Sequence, residues 1–105
     1  MDVEDAIIKR RSVRSYQKKE IPQEKLEKVL NAARMAPSAS NKQDWKFIVV
    51  KDEKKRNEIY EAANHQSFVK EAPVIIAGIT TDPEYEMRCD IPSGIVDLTI
   101  ALDHL

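Results

Sequence analysis

The chain has 105 residues, and its 17 basic and 18 acidic side chains leave a formal net charge of −1 at pH 7. This length suits a single domain, and a charge near zero argues against general attraction to nucleic acid or to a membrane surface. The longest apolar runs, such as residues 47–50, are too short to cross a bilayer. A single cysteine, Cys89, fits a reducing compartment, so we expect a cytoplasmic protein.

Two helices are predicted in the first third of the chain. Apolar residues recur at helical spacing directly after Asp2, which is the expected N-cap of the first helix. The second helix should begin at Ile21-Pro22 and stop before Pro37, because proline suits a first turn and breaks a helix interior. Its predicted core stripe consists of Leu26, Val29, Leu30 and Ala33.

Two apolar strands are predicted next, separated by a charged helix. Residues 45–50 are apolar on both faces, so we expect a central strand that is covered on both sides. Asp52 should cap a helix that runs to about Ala63, and residues 73–80 form the second predicted strand. Two buried strands require helices on both faces of the sheet, although the pattern does not settle the strand direction.

A last helix is predicted from Pro92 or Ser93 onward, after an irregular polar link. Its expected apolar stripe consists of Ile95, Leu98, Ala101, Leu102 and Leu105. The stripe is still running at the last residue, so we expect the chain to be the N-terminal part of a longer protein rather than a domain that ends there.

Three arginines and a serine lie within five positions of residues 9–16, which we call the arginine segment. The planar guanidinium group matches a phosphate bidentately and stays charged at any working pH. A cluster this tight repels itself unless an anion lies among its members, which makes Arg10, Arg11, Ser12 and Arg14 candidates for an anion site. A solvated basic face is the alternative interpretation.

A second candidate segment, residues 36–45, is called the polar loop here. It reads Ala-Pro-Ser-Ala-Ser-Asn-Lys-Gln-Asp-Trp and lies between a predicted helix and a predicted strand. Its small hydroxyl and amide groups can donate and accept hydrogen bonds. Taken alone, the segment could also be a helix-ending turn, for which proline, serine and asparagine are ordinary choices.

Together the two segments resemble the nitroreductase family of flavin enzymes. Members of that family open with a helix that ends in Arg-Arg-Ser-x-Arg and later carry a loop of the type Ala-Pro-Ser-x-x-Asn-x-Gln-Pro-Trp. This chain has both motifs in order and departs from the second at Asp44, where the family usually has proline. The resemblance implies an α+β fold, a three-layer α/β/α sandwich with a mainly antiparallel central sheet. Residues 1–105 would be the N-terminal part of one flavin-binding domain.

The resemblance also implies a flavin mononucleotide (FMN) cofactor. Arg10 and Ser12 would hold the phosphate, with Arg11 nearby, and Arg14 would approach the pyrimidine edge of the flavin ring and tune its potential. A surface ion pair of Arg14 with Glu20 or another nearby acid is the alternative. The polar loop would reach across a homodimer interface, and an amide before the second strand would meet the pyrimidine ring. The candidate cofactor-binding residues are Arg10, Arg11, Ser12, Arg14, Pro37, Ser38, Ser40, Asn41 and Gln66.

The implied activity is an oxidoreductase that accepts hydride from NADH or NADPH and then reduces a small oxidant, such as a nitroaromatic or a quinone, in a ping-pong cycle. The cofactor carries this chemistry, so we expect no catalytic acid, base or metal site in the chain. Two histidines and one cysteine have no metal-ligand spacing, and Asp97 and His104 lie too far apart on a helix for a triad. A non-catalytic flavin- or nucleotide-binding module, or an anion-binding interaction domain, are the alternatives.

Overall fold

A computed structural model describes all residues, 1–105, as five α-helices and two β-strands. In chain order the elements are α1 (Val3–Lys9), α2 (Gln23–Arg34), a 3₁₀ turn (Ala39–Asn41), β1 (Trp45–Val50), α3 (Glu53–Ala62), α4 (Ser67–Glu71), β2 (Ile75–Thr80) and α5 (Ser93–Asp103). None of the helices is long and apolar enough to cross a membrane.

The predicted helix caps are confirmed where a side chain bonds a nearby amide. Asp2 Oδ1 accepts a hydrogen bond of 2.8 Å from Asp5 N at the start of α1. Asp52 Oδ2 likewise accepts one of 3.0 Å from Lys55 N at the start of α3. Each bond satisfies one of the amides that the first helical turn leaves without a partner. The short helix α4 was not predicted, because five residues are too few to display a helical period.

The two strands pair in antiparallel fashion, in agreement with the mainly antiparallel sheet that the family resemblance implies. Trp45 stands opposite Thr80, and the register continues without a bulge to Val50 opposite Ile75. Helix α5 packs on one face of this pair so closely that a Cβ atom at Gly78 would lie 2.8 Å from Leu98 Cδ1. A side chain at this position would therefore require the leucine side chains of α5 to shift.

The prediction that β1 is covered on both faces is wrong for this structure. The sheet has two strands, and Lys46, Ile48 and Ile79 lie on one exposed face. Because side chains alternate along a strand, Phe47 and Gly78 share the other face, toward α5. The continuous apolar run of β1 concealed this alternation, since Ile48 is apolar but 42% exposed.

The core lies between α2 and α5 and consists largely of small side chains. Leu26 and Ala33 of α2 and Ala101 of α5 are buried. The predicted stripe of α5 is wrong at Ile95, which is 68% exposed, and Leu102 and Leu105 of the same stripe are also exposed. The buried positions of α5 are Ser93, Gly94, Asp97 and Ala101. Small and polar residues occupy this face because the helix start is pressed against Thr80, whose Oγ1 would lie 2.3 Å from a Cβ at Gly94.

Candidate functional site

The arginine segment follows α1 as exposed, non-helical backbone. Arg10 is the C-cap residue of α1, and its Nη1 donates a hydrogen bond of 3.3 Å to Ser12 Oγ, so these two side chains converge on one point. Arg11 is used differently. Its Nη1 donates to the carbonyl oxygens of Ile8, at 3.1 Å, and Arg10, at 2.8 Å, and thereby satisfies acceptors at the end of the helix.

No carboxylate lies within ion-pairing distance of Arg10, Arg11 or Arg14. The ion pairs of the chain are all formed by other cations. The alternative pairing of Arg14 with Glu20 is therefore not present, and all three guanidinium groups lie on exposed residues. Three uncompensated positive charges in five positions are an arrangement that an anion would stabilise.

The end of the arginine segment is tied to α4. Tyr16 N donates a hydrogen bond of 3.3 Å to Glu71 Oε2, the last residue of α4, and Tyr16 OH donates to Val13 O at 2.9 Å. Gln66 is the N-cap residue of the same helix, and its side chain makes no hydrogen bond. The arginine segment is thus bonded to the last residue of α4, and Gln66 lies at the start of the same helix.

The polar loop has a backbone that few residues adopt without support. Ser40, Asn41 and Gln43 have φ angles of 53°, 52° and 55°, in the left-handed region. Two internal hydrogen bonds brace the loop. Ser38 Oγ accepts from Gln43 N at 3.0 Å, and Gln43 Nε2 donates to Asn41 Oδ1 at 2.9 Å. The segment is therefore a loop with hydrogen bonds of its own, and it continues well beyond the turn that ends α2 at Arg34.

Three hydrogen bonds that involve side chains connect the polar loop to distant parts of the chain. Asp97 Oδ2 accepts a hydrogen bond of 3.1 Å from Ala39 N, and Ser40 Oγ lies 3.5 Å from Tyr85 OH. Lys42 Nζ donates a hydrogen bond of 2.8 Å to Asp82 Oδ2. Neither aspartate is predicted as a site residue from the sequence, and the only signal for Asp97 is a carboxylate among the apolar residues of its helix.

Lys42 is surrounded by two carboxylates and an aromatic ring. Its Nζ lies 3.2 Å from Asp44 Oδ2, which is close enough for an ion pair although it is not aligned as a hydrogen bond, and 3.5 Å from the centre of the Tyr85 ring. The hydrogen bond to Asp82 is the main reason that the pKa of Lys42 is raised, and the same bond lowers the pKa of Asp82. Asp44, the departure from the family loop pattern, thus contributes to this cluster.

The predicted site residues fall into two groups within one chain. No hydrogen bond or ion pair joins the arginine segment to the polar loop. A cleft of about 760 Å³ contains none of the predicted site residues and lies beside Lys51 and Arg56. A cleft of about 550 Å³ adjoins the polar loop at Ser40 and is completed by residues 85–88. Within one chain, the two groups of predicted site residues therefore have separate sets of contacts.

Comparison with known proteins identifies the sequence pattern and the fold. A sequence model described as the nitroreductase family matches residues 7–77. The chain is 43% identical over 76 residues to a protein of Thermus thermophilus named NADH dehydrogenase, and the match covers 72% of this chain and 37% of that protein. The chain spans about two fifths of the length of the curated relatives it matches.

Two solved structures have the same fold over nearly all of the chain. A nitroreductase family protein from Clostridium novyi NT superposes with a TM-score of 0.87 at 29% identity, over 99% of this chain and 61% of that one. A protein described as an FMN-dependent nitroreductase from Clostridium difficile R20291 does so with a TM-score of 0.78 at 36% identity, over 91% of this chain and 53% of that one. The predicted fold is confirmed by these superpositions.

Proposed function

The chain belongs to the nitroreductase family, and from this premise we propose that it is part of an FMN-dependent oxidoreductase. The enzyme takes a hydride from NADH or NADPH and passes electrons to a small oxidant, with nitroaromatics and quinones as the expected classes. The names of the similar proteins, NADH dehydrogenase and FMN-dependent nitroreductase, support the cofactor and the reductant. The observation that carries the proposal is the uncompensated charge of the arginine segment, which lies inside the family match.

The arginine segment suits the phosphate of FMN. A phosphate monoester carries roughly −1.5 to −2 charges at neutral pH and offers three strong acceptor oxygens. Arg10 and Ser12 already converge at 3.3 Å, so a guanidinium fork and a hydroxyl donor are available at one place. The side chains of Arg10 and Ser12 therefore fit the phosphate group of FMN. Arg11 would contribute mainly by holding the end of α1, because its guanidinium is bonded to two carbonyl oxygens there.

Arg14 is proposed to tune the cofactor rather than to anchor it. The bound flavin supplies the hydride chemistry. Arg14 has no carboxylate partner, so its full positive charge is available to stabilise negative charge on a neighbouring group. The amide of Gln66, which makes no hydrogen bond of its own, is proposed to contact the same ring.

We further propose a homodimer with shared flavin sites. Pro37, Ser38, Ser40 and Asn41 of one subunit would complete the site that the arginine segment of the other begins. The absence of any hydrogen bond between the two groups in one chain supports this arrangement. Exposed apolar side chains near the arginine segment, Ile7 at 71% and Ile8 at 64% exposure, are surfaces that such an interface would cover. We also propose a cytoplasmic location, because exposed Cys89 suits a reducing compartment.

The test is a visible spectrum of the full-length purified protein, recorded before and after anaerobic addition of NADH or NADPH. We expect flavin absorption bands that bleach on addition and return when a quinone is added. Bands that never bleach would instead support a non-catalytic flavin-binding module. No flavin bands after incubation with FMN would contradict the proposed function and favour an anion-binding interaction domain.

A further inference from the structure

Asp97 is a buried carboxylate without a cation. It is 6% exposed on α5, and none of the ion pairs of the chain includes it. Its one hydrogen bond accepts from Ala39 N, 58 positions away, at 3.1 Å. Because an ionised carboxylate without such a bond is costly to bury, the contact with the polar loop is what makes this position tolerable for aspartate.

Ala39 N is the first amide of the 3₁₀ turn in the polar loop. The N-cap residue of this turn, Ser38, provides no capping bond, since its Oγ accepts from Gln43 N instead. Asp97 therefore gives an acceptor to one of the amides that the start of the turn leaves without a partner, and it does so from α5. The turn then leads into Ser40 and Asn41, whose left-handed backbone persists only when the surroundings hold it.

The start of α5, the helix that carries Asp97, is held in place by its neighbours. Ser93 N donates a hydrogen bond of 3.0 Å to Tyr85 O, which secures the first residue of α5. Gly94 is so close to Thr80 that an added Cβ would lie 2.3 Å from Thr80 Oγ1. The start of α5 cannot move toward the strand, so the position of the Asp97 carboxylate is determined by the fold and not by the loop.

We propose that Asp97 is a positioning residue for the cofactor loop: by holding Ala39 N, it fixes the direction in which Ser38, Ser40 and Asn41 present their polar groups to the flavin. The inference rests on the proposed function, because it assigns the loop to the cofactor. Asp97 does not touch the cofactor in this arrangement. It acts through the backbone of the loop, so an acceptor atom at this place is required and a negative charge is not.

The experiment compares Asp97→Ala with Asp97→Asn in the full-length protein, with Asp103→Asn as the matched control on the exposed end of the same helix. Hydrogen exchange of loop peptides, followed by mass spectrometry without flavin, reports whether the loop is held. Fluorescence titration with FMN reports affinity, and thermal unfolding reports overall stability. We expect Asp97→Ala to speed exchange in residues 38–43 and to weaken FMN affinity about tenfold or more. Asp97→Asn should restore both readouts to within about threefold, because its Oδ1 accepts the same bond.

Each outcome decides the inference. Unchanged loop exchange in Asp97→Ala would overturn it, as would faster exchange with full FMN affinity. Equal losses of affinity and thermal stability in both Asp97 variants, without restoration by asparagine, would show a general folding role and would also overturn it. If the wild-type protein bound no FMN, the proposed function itself would fail and the cofactor role of Asp97 with it, while the exchange data would still report on the Asp97–Ala39 contact separately.

Discussion

Lys42 and Asp82 lie 40 positions apart in the chain, yet Lys42 Nζ donates a hydrogen bond of 2.8 Å to Asp82 Oδ2. The pair joins the polar loop to the link between β2 and α5. Asp44 and the Tyr85 ring complete the surroundings of the ammonium group. The polar loop, which carries four of the proposed cofactor residues, is thereby held by the Lys42–Asp82 ion pair and by the hydrogen bond from Ala39 N to Asp97.

The first prediction concerns the pH range in which this ion pair acts. The raised pKa of Lys42 means that its contribution is complete below the ordinary lysine value and is lost as the pH rises through the folded value. The lowered pKa of Asp82 means that its contribution is present above the ordinary aspartate value and is lost as the pH falls through the folded value. Asp82→Asn should therefore lower the melting temperature at pH 7, and this effect should shrink progressively as the pH falls below the ordinary aspartate value.

The measurement is thermal unfolding of both proteins across that range. Because the pair is partly exposed, the effect should shrink further at high salt. A melting-temperature difference that persists unchanged at low pH would show that Asp82 acts through something other than its charge.

The second prediction separates two adjacent arginines. Arg10→Ala removes the guanidinium that meets Ser12, and a bidentate charged contact contributes roughly 1.5 to 3 kcal/mol, so FMN affinity should fall about ten- to a hundredfold. Arg11→Ala should weaken FMN binding less and lower thermal stability instead, because Arg11 bonds the end of α1. Titration of the two apo variants with FMN checks this, and equal affinities of wild type and Arg10→Ala would remove the phosphate assignment.

Features that depend on neighbours in sequence could be predicted. The caps at Asp2 and Asp52 bond amides three positions onward, so the sequence alone contains both partners. The strand 45–50 was predicted at its observed bounds, since apolar β-rich residues end where the charged stretch begins. Strand β2 begins later than predicted, at Ile75 rather than Pro73.

Features that depend on distant partners could not be predicted in the same way. Asp97 accepts from an amide 58 positions away, and its place among the apolar residues of α5 does not indicate which partner it has. Ile95 was assigned to the core because its spacing fits, whereas close packing at Gly94 and Thr80 turns a different face inward. The polar loop was found through a family motif, but its left-handed backbone was visible only in the structure.

The third prediction tests the role of Arg14 in tuning the flavin. Loss of one uncompensated positive charge near the ring should make the reduced, anionic form less favourable. Arg14→Ala saturated with FMN should have a lower midpoint potential than wild type and slower reduction by NADH or NADPH. Spectroelectrochemical titration measures the potential, with Arg34→Ala as the control, because Arg34 bonds Asn31 on α2 and lies outside the proposed site. An unchanged potential would place Arg14 away from the ring.

The fourth prediction concerns the packing that fixes α5. An alanine Cβ at Gly94 would lie 2.3 Å from Thr80 Oγ1, so Gly94→Ala should lower the free energy of unfolding by about 1–3 kcal/mol despite the better helix propensity of alanine. Denaturant unfolding measures this change. In a Thr80→Ala background the added penalty of Gly94→Ala should shrink, because the clashing hydroxyl is gone. Equal penalties in both backgrounds would mean that the strain arises elsewhere, for example at Asp82 O, 3.3 Å from the same Cβ.

The fifth prediction tests whether the flavin sites are shared between subunits. Arg10→Ala and Asn41→Ala should each bind FMN poorly as homodimers, since each lesion occurs in both sites. When the two variants are unfolded and refolded together, a hybrid dimer should contain one site with both lesions and one with neither, so about half of the hybrid's sites regain wild-type affinity. Differently tagged subunits allow the hybrid to be isolated before titration. If isolated hybrids regain no binding, Asn41 belongs to the site of its own subunit or to no site, and the proposal of shared flavin sites fails.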